Sequence, residues 1–133
     1  MKNYPVLIVD DDKRVCEDLN AIIDMTTSYH SDIALTHNDA IEMLRKNSYT
    51  LVISDLMLTS GDDFDDPQGL RLIEWISKNH LNSKIILYSA YLTPETSIKL
   101  SRINPLADAI GKEERIETLV KFIKDALHDY KED

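Results

Sequence analysis

The sequence predicts a single α/β domain, residues 1–133, built on a doubly wound five-stranded parallel sheet with five helices. Three observations lead there. Strand-like and helix-like patterns alternate five times along the 133 residues. Three of the strand-like runs, Val6-Leu7-Ile8-Val9, Leu51-Val52-Ile53-Ser54 and Ile85-Ile86-Leu87-Tyr88, have the length and β-branched content of strands buried on both faces. Helical patterns separate these runs, so the strands should lie parallel and be joined by crossovers. An eight-fold barrel needs roughly 250 residues and is excluded by length.

The elements follow in order. A first strand is expected over 4–10 and a first helix over 13–25, with Val15, Leu19, Ile22 and Ile23 on its buried face. The second strand, over 31–35, is weak. The second helix, over 38–46, takes Asn38 as its N-cap and Ile41 and Leu44 as anchors. A third strand covers 50–54. The third helix starts near Pro67 and carries Leu70, Ile73 and Ile76, with Trp75 at its edge. A fourth strand covers 84–88. Thr93-Pro94-Glu95 opens the fourth helix, a cap followed by proline at the first helical position. A short fifth strand covers 107–110. Ile116, Leu119, Val120, Ile123 and Leu127 then recur at helical spacing and define the fifth helix. The stretch 59–67 is a long acidic loop with Asp62, Asp63, Asp65 and Asp66 around Gly61 and Phe64.

Composition narrows the function. Hydrophobic residues make up 43% and charged residues 29%, a globular balance well outside the disordered range. The net charge of −9 argues against direct nucleic-acid binding by this domain and suits cations or a basic partner surface. The single cysteine, Cys16, allows no internal disulfide and fits a reducing cytoplasm; its helical position reads as inert packing. No apolar run approaches the roughly 20 residues of a membrane span, and Met1-Lys2-Asn3 begins no signal-peptide pattern. His30, His37, His80 and His128 show no metal-ligand spacing.

The chemistry gathers at the strand ends. The first strand runs into Asp10-Asp11-Asp12, the third into Asp55 and the fourth into Ser89. Parallel strands align their C-terminal ends along one edge, where open α/β sheets bind ligands. Two unit charges about 5 Å apart repel by roughly 3 kcal/mol at an effective dielectric near 20. Such a cluster is retained for a cation, a phosphoryl group, or both. Asp12 reads as helix-capping polarity.

These residues resemble the receiver domains of two-component response regulators, and the resemblance covers the whole chain. It is carried by an acidic pair after the first strand (Asp10, Asp11), a lone Asp after the third (Asp55), Ser89-Ala90 after the fourth and Lys112 after the fifth. The resemblance implies the flavodoxin-like strand order 2-1-3-4-5, for which a receiver protein is a standard example. It implies Asp55 as phosphoacceptor, with Ser89 and Lys112 as the other catalytic residues. Mg²⁺ would be held by Asp10, Asp11, Asp55 and the main-chain carbonyl of Met57. Lys112 would pair with Asp55 at rest. The donor would be a sensor histidine kinase or a histidine phosphotransfer protein, and the target a downstream protein or output domain. A phosphorylation-dependent homodimer is compatible with the same reading. The domain would then act as a signalling switch with self-catalysed phosphoryl transfer and slow autodephosphorylation.

The chain departs from the family pattern at four places. Glu113 follows Lys112 where a proline, often cis, is usual; a cis non-proline bond costs roughly 3 kcal/mol, which favours a trans bond here. Ala109 stands where the switch aromatic usually lies. The loop after Asp55 is longer, has Thr59 in place of proline, and enters the third helix with Gln68-Gly69; residues 60–66 would form a lid or a partner-specific surface. Met57 and Tyr91 are large and would screen the phosphate from water, giving slow hydrolysis.

Two other readings compete. A haloacid-dehalogenase-like phosphatase would use Asp10 as nucleophile and Asp12 as acid/base, but Arg14 stands where Thr or Val is usual and Asp55 would be idle. A phosphorylation-independent pseudo-receiver binding module is favoured by the missing proline and aromatic, but its usual sign is loss of one of Asp10, Asp11, Asp55, Ser89 and Lys112, and all five are here. With Asp133 following the fifth helix closely, the chain reads as a stand-alone regulator or as a piece of a longer one.

Overall fold

In the computed structural model, residues 2–56, 68–79, 81–90 and 92–131 are described. Five strands and five helices alternate: β1 (Asn3–Val9), α1 (Lys13–Thr27), β2 (Ser31–Ala34), α2 (His37–Lys46), β3 (Ser48–Ser54), α3 (Gln68–Lys78), β4 (Lys84–Ser89), α4 (Pro94–Ile103), β5 (Asp108–Gly111) and α5 (Ile116–Ala126). The strands form one sheet in the order β2-β1-β3-β4-β5, every pair parallel. This is the doubly wound, flavodoxin-like arrangement the sequence predicts.

The period-two alternation of the strands divides the core in two. Val6, Ile8, Leu51, Ile53, Ile86 and Ile110 point to one face, where Cys16, Leu19 and Ile23 of α1 and Leu119 and Ile123 of α5 cover them. Leu7, Val9, Val52, Ile85 and Leu87 point to the other, under α2, α3 and α4. Both faces are covered, which is why these strands read as continuous apolar runs. Each fully buried Leu or Ile contributes about 1.5–3 kcal/mol relative to exposure.

Helix boundaries follow side-chain chemistry. Asp12 caps α1, its carboxylate accepting from the N–H groups of Arg14 and Val15. Ser28 closes that helix at φ 63, the left-handed geometry common at helix ends. Thr93 caps α4, with Pro94 at the first helical position as expected.

Several expectations need correction. The cap of α2 is Thr36, whose hydroxyl accepts from the Asp39 N–H; Asn38 lies inside the helix. The extended backbone that a cap requires is at Thr36 (φ −137, ψ 160). Ile116 is 58% exposed and outside the core, because α5 begins there, at the rim of the sheet. On α1 the buried seam is Cys16, Leu19 and Ile23, while Val15 and Ile22 flank it half-buried. β3 starts two residues earlier than expected, at Ser48, because its first residues pair with Asn3 and Tyr4. Trp75 lies partly buried at the edge of α3, with the Arg45 guanidinium 6.0 Å from its ring centre.

No helix among the described residues is long and apolar enough to cross a membrane. The acidic loop of residues 60–66, with Pro67, Met57, His80 and Tyr91, lies outside the described residues.

The capping assignment has a direct check. Thr36→Ala should cost about 1 kcal/mol in denaturant unfolding. Asn38→Ala, inside an exposed helical turn, should change stability by less than about 0.5 kcal/mol.

Candidate functional site

Strand register brings the acidic residues level. Val9 pairs with Ser54, so the residues that follow them, Asp10 and Asp55, leave the sheet side by side. The ladder runs on into the site: the Asp55 N–H donates to the Val9 carbonyl at 2.9 Å, and the Asp10 N–H to the Ala34 carbonyl at 3.2 Å. At the other side Ser89 is level with Gly111, and the Lys112 N–H donates to the Ser89 carbonyl at 3.0 Å. Four strand ends therefore supply the residues that the sequence singles out.

Asp10, Asp55 and Ser89 are buried. The two carboxylates are held in matching ways. Asp10 Oδ1 accepts from the Asp12 N–H at 2.9 Å, and Asp55 Oδ1 from the Leu56 N–H at 2.7 Å. Their Oδ2 atoms share one cation: Lys112 Nζ lies 3.0 Å from Asp10 and 3.3 Å from Asp55. The expected pairing of Lys112 with Asp55 is present, and the shorter contact to Asp10 is an addition. The Lys112–Glu113 bond is trans. Oxygen atoms of Asp10, Asp11 and Asp55 come within 4.8 Å of one another. Such a set of hard oxygen donors fits Mg²⁺ rather than a soft metal.

The charges respond to burial and to each other. Burial pushes the Asp10 carboxyl above its usual value, and the Asp55 charge adds to this; the Asp12 N–H and Lys112 offset part of it. For Lys112, burial opposes the charged form, but the hydrogen bond and charge of Asp10, with Asp55, outweigh it and hold the ammonium above its usual range. Burial raises the Cys16 thiol to about 11, and its Sγ–H donates to the Asp10 carbonyl; this cysteine is inert packing beneath the site.

Two contributors are not apparent from the motif residues alone. Gly69, in the first turn of α3, donates its N–H to the Leu56 carbonyl at 2.9 Å. A Cβ there would run into the Asp55 carbonyl oxygen and come within 2.7 Å of Leu56 Cα. Only glycine lets α3 approach the backbone that carries Asp55, and the Gln68-Gly69 pair is its one trace in the sequence. The second is Tyr88, whose ring centre lies 5.9 Å from Lys112 Nζ. Ala109, where an aromatic would be expected from the resemblance, is half-buried against the α2–α4 face. Met57, the expected carbonyl ligand, and Tyr91, the expected screen, lie outside the described residues.

A family model for the response regulator receiver domain matches residues 6–124. The chain belongs to that family. A CheY-like receiver domain protein from Methanospirillum hungatei JF-1 is 27% identical, with a TM-score of 0.76 over 97% of this chain and 95% of that one. The beryllofluoride-activated NtrC4 receiver domain, solved as a dimer, is 26% identical, with a TM-score of 0.78 over 98% of this chain and all of that one. The signal receiver domain of a DNA-binding response regulator from Colwellia psychrerythraea 34H shares the fold at a TM-score of 0.80 and 22% identity, over 95% of this chain and 99% of that one. No curated protein matches the chain.

Two outcomes follow from the site's packing and charge. Gly69→Ala should destabilise the chain by about 1–3 kcal/mol in urea unfolding, as overpacking against fixed backbone does. Asp10→Asn should raise Tm in metal-free buffer at neutral pH. The folded-state pKa of Asp10 is raised from 3.8, so the parent's stability from this group is full below 3.8 and is lost as pH rises through the folded value. The gain from Asp10→Asn should therefore shrink on acidification and vanish below 3.8, which a Tm series against pH would read.

Proposed function

We propose that this receiver domain accepts a phosphoryl group on Asp55 from a sensor histidine kinase or histidine phosphotransfer protein, and that the aspartyl phosphate switches a partner-binding surface. The observation that carries the reading is the Asp55 carboxylate, buried at the C-terminal edge of the sheet, with Lys112 Nζ 3.3 Å from Oδ2 and the oxygens of Asp10 and Asp11 close by. In the transfer, an Asp55 oxygen forms a bond to phosphorus as the P–N bond of the phosphohistidine donor breaks, and the imidazole leaves. A carboxylate is a weak nucleophile and is repelled by the anionic phosphoryl group, so positioning and charge compensation are what the site supplies.

Asp10, Asp11 and Asp55 are the residues that would hold Mg²⁺, with the Met57 carbonyl proposed as a further ligand. When bound, the ion supplies charge compensation for the carboxylates and the phosphoryl oxygens. Lys112 exchanges carboxylate contacts for a phosphoryl oxygen and acts as a point charge. Ser89, level with Gly111 across the β4–β5 ladder, donates its hydroxyl to the phosphate. That movement draws the segment after β4 inward and resets the surface near α4 and β5. A downstream protein, an output domain or a second copy of the domain would read that surface. The reading carries a cytoplasmic location, one domain over residues 1–133, and no nucleic-acid contact by the domain itself. The phosphatase alternative finds less support: the Asp12 carboxylate, its would-be acid/base, is committed to capping α1.

Incubation with acetyl phosphate should add one phosphoryl group, dependent on Mg²⁺, mapped by peptide mass to Asp55 and abolished in Asp55→Asn. Label on Asp10 would favour the phosphatase; no label even with a cognate kinase would leave a phosphorylation-independent binding module. Millimolar Mg²⁺ should raise Tm of the parent and not of Asp11→Asn, because only the folded chain assembles the ligands.

A further inference from the structure

The main chain fixes only the root of Lys112. Its N–H is bonded to the Ser89 carbonyl, but Gly111 precedes it and the exposed Glu113 follows through a trans bond. The ammonium sits at the end of a flexible four-carbon stem, which loses rotamer entropy when aimed at one point. Side-chain contacts must do the aiming. Asp10 and Asp55 hold the ammonium at 3.0 and 3.3 Å, and the ring centre of Tyr88 lies 5.9 Å from it, within the reach of a cation–π contact.

Tyr88 itself is well placed to be a fixed reference. It is the β4 residue directly before Ser89 and pairs with Ile110. Strand alternation turns it to the face covered by α1 and α5, where it packs half-buried against that core. Burial raises its phenol above the usual value, so the ring is neutral near pH 7. A neutral ring attracts the ammonium without joining the reaction. The carboxylates differ in this respect: both are called on by the incoming cation and phosphoryl group.

We propose that Tyr88 is a positioning residue for Lys112. Its ring holds the ammonium on the reactive side of the site while the anionic partners of Lys112 change. The proposal rests on the reading of Asp55 as phosphoacceptor for its consequence in rate, but its geometry is testable without phosphorylation.

The test has two arms. In the resting protein, the methylene protons next to Lys112 Nζ should show an aromatic ring-current shift by NMR. The shift should persist in Tyr88→Phe and disappear in Tyr88→Leu and Tyr88→Met, which keep apolar bulk. Its absence in the parent, or its survival without the ring, overturns the proposal whether or not Asp55 is ever phosphorylated. In the kinetic arm, the initial rate of Asp55 labelling by acetyl phosphate with Mg²⁺ should fall roughly threefold to tenfold in Tyr88→Leu and stay within about twofold in Tyr88→Phe. In a Lys112→Met background, Tyr88→Leu should slow labelling no further. Equal slowing in both backgrounds would make Tyr88 mere core packing. Failure of the parent to label at all would count against the phosphoacceptor reading, with the ring-current arm still deciding the role of Tyr88.

Discussion

The Lys112 ammonium, bridging Asp10 and Asp55, is the interaction on which the site depends. Two carboxylates emerging side by side from adjacent strands repel, and burial strengthens the repulsion. Lys112 offsets part of this, while burial first and the Asp55 charge second keep the Asp10 carboxyl above its usual value. A cation among the three carboxylates would compensate the remaining negative charge.

The fold makes that balance geometrically possible. Asp10, Asp55 and Lys112 are separated by 45 and 57 residues, yet register places them at one edge. The central pairs β1–β3 and β3–β4 are enclosed on both faces, so the strand ends have little freedom to drift. Backbone donors then finish the job: the N–H groups of Asp12 and Leu56 each hold one carboxylate oxygen and leave the other facing the cation. The rigid interior of the sheet thus fixes a few buried atoms at its C-terminal edge.

Secondary contacts show how far the departures from the family pattern reach. Ala109 leaves β5 without an aromatic on the α2–α4 face, while Tyr88 on β4 places its ring near Lys112 from the other face. With Glu113 after Lys112 the bond is trans, and the lysine reaches both carboxylates. Gly69 allows α3 to lean on the Asp55 backbone, so that helix is coupled to the Asp55 segment by packing.

The sequence by itself determined the architecture and most of the residues that gather at its C-terminal edge. Continuous apolar runs announced strands enclosed on both faces, and helical spacing between them required a parallel sheet, so Asp10, Asp55 and Ser89 had to converge on one edge. Lys112 entered through its resemblance to a motif. Local cues were weaker where neighbours compete: Thr36 and Asn38 are both good caps, and only the backbone angles chose Thr36. Ile116 fits the helical period of α5 but is exposed at the helix's first residue. The tertiary structure alone decided which carboxylate oxygen faces Lys112, that Lys112 is shared with Asp10, that Tyr88 lies over it and that Gly69 has no room for a side chain. These are distances between residues remote in sequence, and periodicity carries the direction of a side chain but not what it will meet.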